Sequence, residues 1–202
     1  GINAYIARHK QVNTIDNGGV IETAVRQLPE VPVRNSDGSW GTQQENMYGT
    51  YFSNPVADAL SRENYNKGTD LQLRGYADIN LLKGLVLKTE ASTNINYYTD
   101  YQYTPLMKLG YFTQASSGSR SSSNSSFVDF NTYLTYNLSL VKHSFSVMAG
   151  HESQENNSEN LSGSRDGFIF NSVHELQVGD AKSAKNSSSR NSSAIESYYG
   201  RF

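Results

Sequence analysis

No cysteine occurs in this chain of 202 residues, which excludes disulfide frameworks and thiolate metal sites. Nor does any apolar run approach the ~18–20 residues that a membrane-crossing helix requires, and the mean hydropathy is −0.60. An excess of one charge is also missing. Seventeen Lys and Arg stand against nineteen Asp and Glu, which leaves no electrostatic footprint for nucleic acid as a partner. The first residues, Gly1-Ile2-Asn3-Ala4-Tyr5, have neither the basic start nor the apolar core of a signal peptide. Either a leader has been removed or the chain is a piece of something longer.

What is present is alternation, clearest from Thr69 to Tyr98. Leu71, Leu73, Gly75, Ala77, Ile79 and Leu81 take every second position, and Gln72, Arg74, Tyr76, Asp78 and Asn80 lie between them. After Leu82-Lys83-Gly84 the pattern resumes. Leu85, Leu87, Thr89, Ala91, Thr93 and Ile95 share one face, and Lys88, Glu90, Ser92, Asn94 and Asn96 share the other. Period two places successive side chains on opposite faces of a strand, so this stretch predicts a hairpin of two long strands. One face is light and apolar while the other carries charges of both signs. Lipid against one face and a wet lumen against the other would produce that chemistry. A soluble sheet with one buried face would produce it too.

Further strands are expected over 1–11, over 127–138 with Val128, Phe130, Thr132, Leu134, Tyr136 and Leu138 on one face, over 143–154 with Phe145, Val147 and Ala149 in phase, and over 195–202. Short connections follow Leu81 and Leu138. Long ones, at about 12–67, 99–125 and 155–192, follow the other strand ends, so every long loop falls at one end of the sheet. Outer-membrane barrels have this asymmetry. Within the loops, Val20–Leu28 predicts a short helix ahead of Pro29, and Asp37-Gly38 predicts a turn. The serine-rich run 115–126 has low complexity and is expected to be mobile. Gly167-Phe168-Ile169-Phe170 is expected to anchor the third loop, and Tyr97 with Tyr98 to belong to an interfacial aromatic girdle.

Catalytic chemistry finds no support in the spacing. His9, His143, His151 and His174 lack metal-ligand spacing, and no serine sits in a nucleophile elbow. Asn35-Ser36-Asp37-Gly38-Ser39 superficially resembles a calcium loop, but its glycine comes too early and no glutamate closes it, so a turn is expected. No enzyme activity and no cofactor are expected.

Several short segments, taken together in order and spacing, carry a family likeness. They are Gly19-Val20-Ile21 with Leu28-Pro29, Val31-Pro32-Val33-Arg34-Asn35-Ser36-Asp37-Gly38-Ser39, Asn54-Pro55-Val56-Ala57, Leu82-Lys83-Gly84-Leu85, Lys142-His143 with Val147-Met148-Ala149-Gly150, and Glu196-Ser197-Tyr198-Tyr199-Gly200-Arg201. On these residues the chain resembles the SusC/RagA-like TonB-dependent outer-membrane transporters of Bacteroidetes-type bacteria. The resemblance implies an all-β fold: an antiparallel up-and-down transmembrane β-barrel segment of about six strands, cut from a 22-strand-type barrel. Residues 1–202 would form one partial barrel domain of the bacterial outer membrane, without the plug. In that family TonB acts through the plug, a SusD-like surface lipoprotein closes over the barrel, and glycans or peptides are imported.

The resemblance turns the faces into expectations. Leu71, Leu73, Leu85, Leu87, Phe130, Leu134, Phe145 and Val147 would face outer-membrane lipid. Asp70, Gln72, Arg74, Tyr76, Asp78, Lys88, Glu90, Asp129 and Asn131 would face the lumen, lining a polar path or solvating a wall against the plug. Trp40, Tyr48, Tyr51, Tyr101 and Tyr103 are the loop aromatics that would stack on substrate, or instead hold loops and meet the lid. The alternative is a soluble or surface-displayed β-sandwich binding or adhesin module, in which a second sheet would bury the same leucines.

Overall fold

The alternation resolves into strands that pair in chain order. The structure, a computed structural model, describes residues 1–13, 19–41, 54–109 and 112–202. Six antiparallel strands form one open sheet: β1 (Ile2–Val12), β2 (Glu63–Leu82), β3 (Leu85–Thr104), β6 (Ser117–Leu140), β7 (His143–Asp166) and β8 (Lys185–Arg201). A separate two-stranded hairpin, β4 (Met107–Leu109) with β5 (Phe112–Gln114), is inserted between β3 and β6. No second sheet covers the large one among the described residues, so the sandwich alternative fails on topology.

Short turns at 83–84 and 141–142 close one end, and longer connections at 13–62, 105–116 and 167–184 lie at the other. Gly84 is needed at the first turn. Its φ of +81° is a left-handed conformation that favours glycine, and its carbonyl accepts from the Asn137 amide of β6 at 2.7 Å. A bulge between Asn80 and Leu82 accommodates the turn.

The strands run well beyond the sequence expectation at the long-loop end. The run expected as a mobile loop, 115–126, is β-strand from Ser117, paired to β3 and to β7 on its two sides. Likewise β7 extends to Asp166 and β8 begins at Lys185, so the loops expected at 99–125 and 155–192 shrink to 105–116 and 167–184. The first loop contracts only slightly, from 12–67 to 13–62. Serine and asparagine are poor strand formers, but a strand with a neighbour on each side satisfies its backbone groups through both ladders whatever its side chains. At ~3.3 Å per residue, 24-residue strands such as β6 and β7 reach about 80 Å.

The small apolar core lies at the long-loop end of the sheet. Its buried members are Ala57, Tyr103, Met107 and Phe168. The first loop carries helix α1 (Gly19–Arg26), close to the expected helix, and helix α2 (Pro55–Ser61). Asn54 caps α2: its side-chain oxygen accepts from the Val56 and Ala57 amides at 3.0 and 3.1 Å. Its amide nitrogen donates to the Val33 and Gly41 carbonyls at 2.9 and 2.8 Å. A small turn at 34–40 sits between those carbonyls, where Asp37 accepts from Ser39 and Gly38 adopts φ +83°. The expected turn is therefore present, and the Ser39 hydroxyl holds the Asp37 carboxyl below the usual carboxylate range.

Asn54→Asp should be as damaging as Asn54→Ala, because aspartate keeps the cap but cannot donate to the two carbonyls. Each change should open the 33–57 region locally by about 1–3 kcal/mol, read as faster amide exchange in α2. Capping alone would leave Asn54→Asp neutral.

Candidate functional site: the two faces of the wall

Register sorts every strand residue onto one of two faces. Leu71 pairs with Ile95, Leu73 with Thr93, Leu87 with Leu134, Ala91 with Phe130, Leu138 with Phe145 and Tyr136 with Val147. Leu71, Leu73, Leu85, Leu87, Phe130, Leu134, Phe145 and Val147 therefore share one face, together with Ile2, Ala4 and Ile6 of β1. None of the eight is buried, and Phe145 is 56% exposed. On β3 this face is light and apolar from Leu85 to Ile95, and on β6 from Val128 to Leu138. Ten residue steps at ~3.3 Å and a tilt of ~40° rise about 25 Å, the height of a barrel's lipid-facing band. The run is shorter on β7, where His151 follows Ala149 and meets Glu196 of β8 at 3.5 Å.

The opposite face collects Asp70, Gln72, Arg74, Tyr76, Asp78, Lys88, Glu90, Asp129 and Asn131. Its charges pair across strands. Arg74 grips Glu90 through two contacts of 2.6 and 2.7 Å, and Lys88 stands 3.6 Å from Asp78. These groups line a hollow with Asn3 and Tyr133. Several members of this face were not assigned to it from the sequence: His9, 3.6 Å from Asp70; Tyr98, whose hydroxyl donates to Asp70 at 3.1 Å; and Tyr199, whose hydroxyl donates to Asn131 at 2.6 Å. Continuing the alternation of Ile2, Ala4 and Ile6 through β1 would have placed His9. Tyr98 corrects an expectation, because adjacent strand residues point oppositely. Tyr97 alone lies on the apolar face, at its upper boundary, 54% exposed.

The loop aromatics mostly hold the fold together. Trp40 packs against Ala57 and Met107, with the Arg34 guanidinium 3.7 Å above its ring. Tyr101, expected in a loop, lies in β3 and stacks on its cross-strand partner Tyr65 at 4.8 Å. Tyr103, expected in a loop, lies in β3 and is 4% exposed, stacked on His174 and edge-on to Phe168. Its ring is thus covered by the third loop, which the sequence could not show because that loop is 65 residues or more away. Tyr48 and Tyr51 lie outside the described residues. Phe168 does anchor the third loop, exchanging two hydrogen bonds with buried Ser116, while Ile169 and Phe170 stay exposed. Arg120 adds an ion pair to Glu175 at 2.7 Å and so holds that loop carboxyl below its usual range.

Among the described residues, one large open sheet with an uncovered apolar face, a charged opposite face, short turns at one end and long loops at the other has the architecture of a wall segment of a transmembrane β-barrel. No protein-family model matches the chain. It is 26% identical over 200 residues to TonB-dependent receptor P3 of Formosa agariphila, a match that takes in 97% of this chain and 19% of that protein. Its fold is similar to the RagAB peptide importer in both the "open-open" and "closed-closed" states, each with a TM-score of 0.70 and 20% identity, over 82% of this chain and 19% of the other. The chain therefore resembles the SusC/RagA-like TonB-dependent transporters in sequence and in barrel fold, and spans about a fifth of the length of these relatives.

Proposed function

We propose that residues 1–202 form one part of the barrel wall of an outer-membrane TonB-dependent importer, with the apolar face against lipid and the charged face toward the lumen. The carrying observation is the uncovered apolar band opposite a face of cross-strand ion pairs. A soluble protein rarely leaves so large an apolar surface bare, and a lipid environment removes the cost. The importer would take up peptides or glycans. The likeness to a peptide importer supports the first, and the chemistry of Arg74, Asp78, Lys88 and Glu90 suits any polar solute. A SusD-like lipoprotein lid would meet the long-loop end, where Leu106, Ile169, Phe170 and Val173 are exposed. TonB would act through a plug elsewhere in the parent protein. No step of this function requires catalysis.

The absence of cysteine permits a direct test. Single cysteines at Leu73 and Phe130, and at Gln72 and Asp129, would be placed in the full-length receptor after replacement of any cysteine elsewhere in it. In membranes, a water-soluble maleimide should label positions 72 and 129, and a lipid-soluble reagent should be needed for 73 and 130. Equal labelling of all four by the water-soluble reagent would defeat the assignment of faces.

A further inference from the structure

The apolar face ends abruptly in cations. Across β1, β2 and β3 its last apolar row is Ile6, Leu71 and Ile95. The next row toward the long loops is Arg8, Thr69 and Tyr97, then Lys10, Lys67 and Thr99, then Val12, Tyr65 and Tyr101. Lys10 and Lys67 are direct cross-strand partners. Like charges directly opposite each other destabilise a sheet, so this pairing calls for a counter-anion.

The protein supplies none among the described residues. Neither Arg8, Lys10 nor Lys67 makes an ion pair there. Two carboxylates near this end of the face are already engaged, Glu63 by His174 at 3.2 Å and Glu175 by Arg120 at 2.7 Å. The Asp70 and Asp100 side chains lie on the other face. Instead both ammoniums gather on one ring, with Lys10 Nζ 4.5 Å and Lys67 Nζ 5.4 Å from the Tyr65 centroid. Such an arrangement concentrates positive charge, and Arg8, Lys10 and Lys67 are all exposed.

We propose that Arg8, Lys10 and Lys67, backed by Tyr65, form a docking site for phosphate-bearing lipid headgroups of the leaflet nearest the long loops. The inference rests on the assignment of the apolar face to lipid. Height selects the occupant. Arg8 stands about 7 Å along the strand beyond Ile6, level with Tyr97, where acyl chains give way to headgroups. Long basic side chains at that level keep their stems on the apolar surface and their charges among phosphates. A cation near an anionic membrane surface contributes about 1 kcal/mol, so loss of all three corresponds to roughly a 100-fold drop in lipid affinity.

The test uses the full-length receptor in nanodiscs, with the Arg8→Gln, Lys10→Gln, Lys67→Gln triple variant titrated against a phosphate-bearing lipid and read by native mass spectrometry. The triple variant should lose affinity about 100-fold. Lys10→Arg with Lys67→Arg should retain it, which excludes a folding defect as the cause. Arg190→Gln, on the same face but paired with Glu159 at 3.0 Å, should also retain it. Unchanged affinity in the triple variant, or complete displacement of the lipid by millimolar inorganic phosphate, would overturn the site. If the cysteine at position 73 remains shielded from water-soluble reagent in that case, only the headgroup site falls. If it labels freely, the assignment of faces has fallen first.

Discussion

Phe130→Arg should lower the stability of the membrane-embedded receptor by about 2–4 kcal/mol, the cost of a basic side chain at the middle of a barrel's lipid face. Phe130 pairs with Ala91, near the middle of the β3 run Leu85–Ile95, lies one step inside the loop end of the β6 run Val128–Leu138, and is 45% exposed. The effect should depend on depth. Leu138→Arg, at the edge of the band near the short turns, should cost only about 0–1 kcal/mol, because the guanidinium reaches water. Asn94→Arg, on the charged face three residue steps (~10 Å) along β3 from Ala91, should change stability by less than about 0.5 kcal/mol. Urea unfolding of the receptor in lipid vesicles would read all three. A flat profile with depth, or an equal penalty at Asn94, would mean that no bilayer covers the Phe130 face.

Gly84→Ala should be nearly as costly, at about 2–3 kcal/mol, for two separable reasons. A non-glycine residue in the left-handed region costs roughly 1–2 kcal/mol. Independently, a β-carbon at Gly84 would collide with the Asn137 carbonyl oxygen, forcing apart the 2.7 Å hydrogen bond from the Asn137 amide to the Gly84 carbonyl, a bond worth about 1 kcal/mol. Gly84→Asn separates the causes, since asparagine tolerates the left-handed conformation but still carries a β-carbon. The asparagine variant should therefore recover only part of the loss. Full recovery would show that the approach of β6 to the turn contributes nothing.

The strands and their faces were legible wherever the side chains alternate. Leu71 to Leu81 and Leu85 to Ile95 announce a hairpin, and the sheet keeps that phase through β6 and β7. Asn54-Pro55 was visible as a motif, but its purpose was not, because the carbonyls of Val33 and Gly41 that it ties together lie 21 and 13 residues away. Tyr103 shows the same limit. Its sequence neighbours describe an aromatic loop, whereas its contacts, Phe168 and His174, belong to a loop folded back over it.

Sequence alone determined the all-β wall, the opposition of leucine and charge across it, and the placement of long loops at one end. These follow from local periodicity, which the pleat of a strand translates directly into faces. Tertiary structure alone decided how far the strands run and which cations meet. Ser117–Ser126 has no alternation to read, and becomes a strand because β3 and β7 offer hydrogen bonds to both of its edges. Lys10 and Lys67 are 57 positions apart, and only the register of β1 on β2 sets them side by side. Backbone pairing carries no side-chain signature, so strand reach and cross-strand charge are settled by neighbours in space.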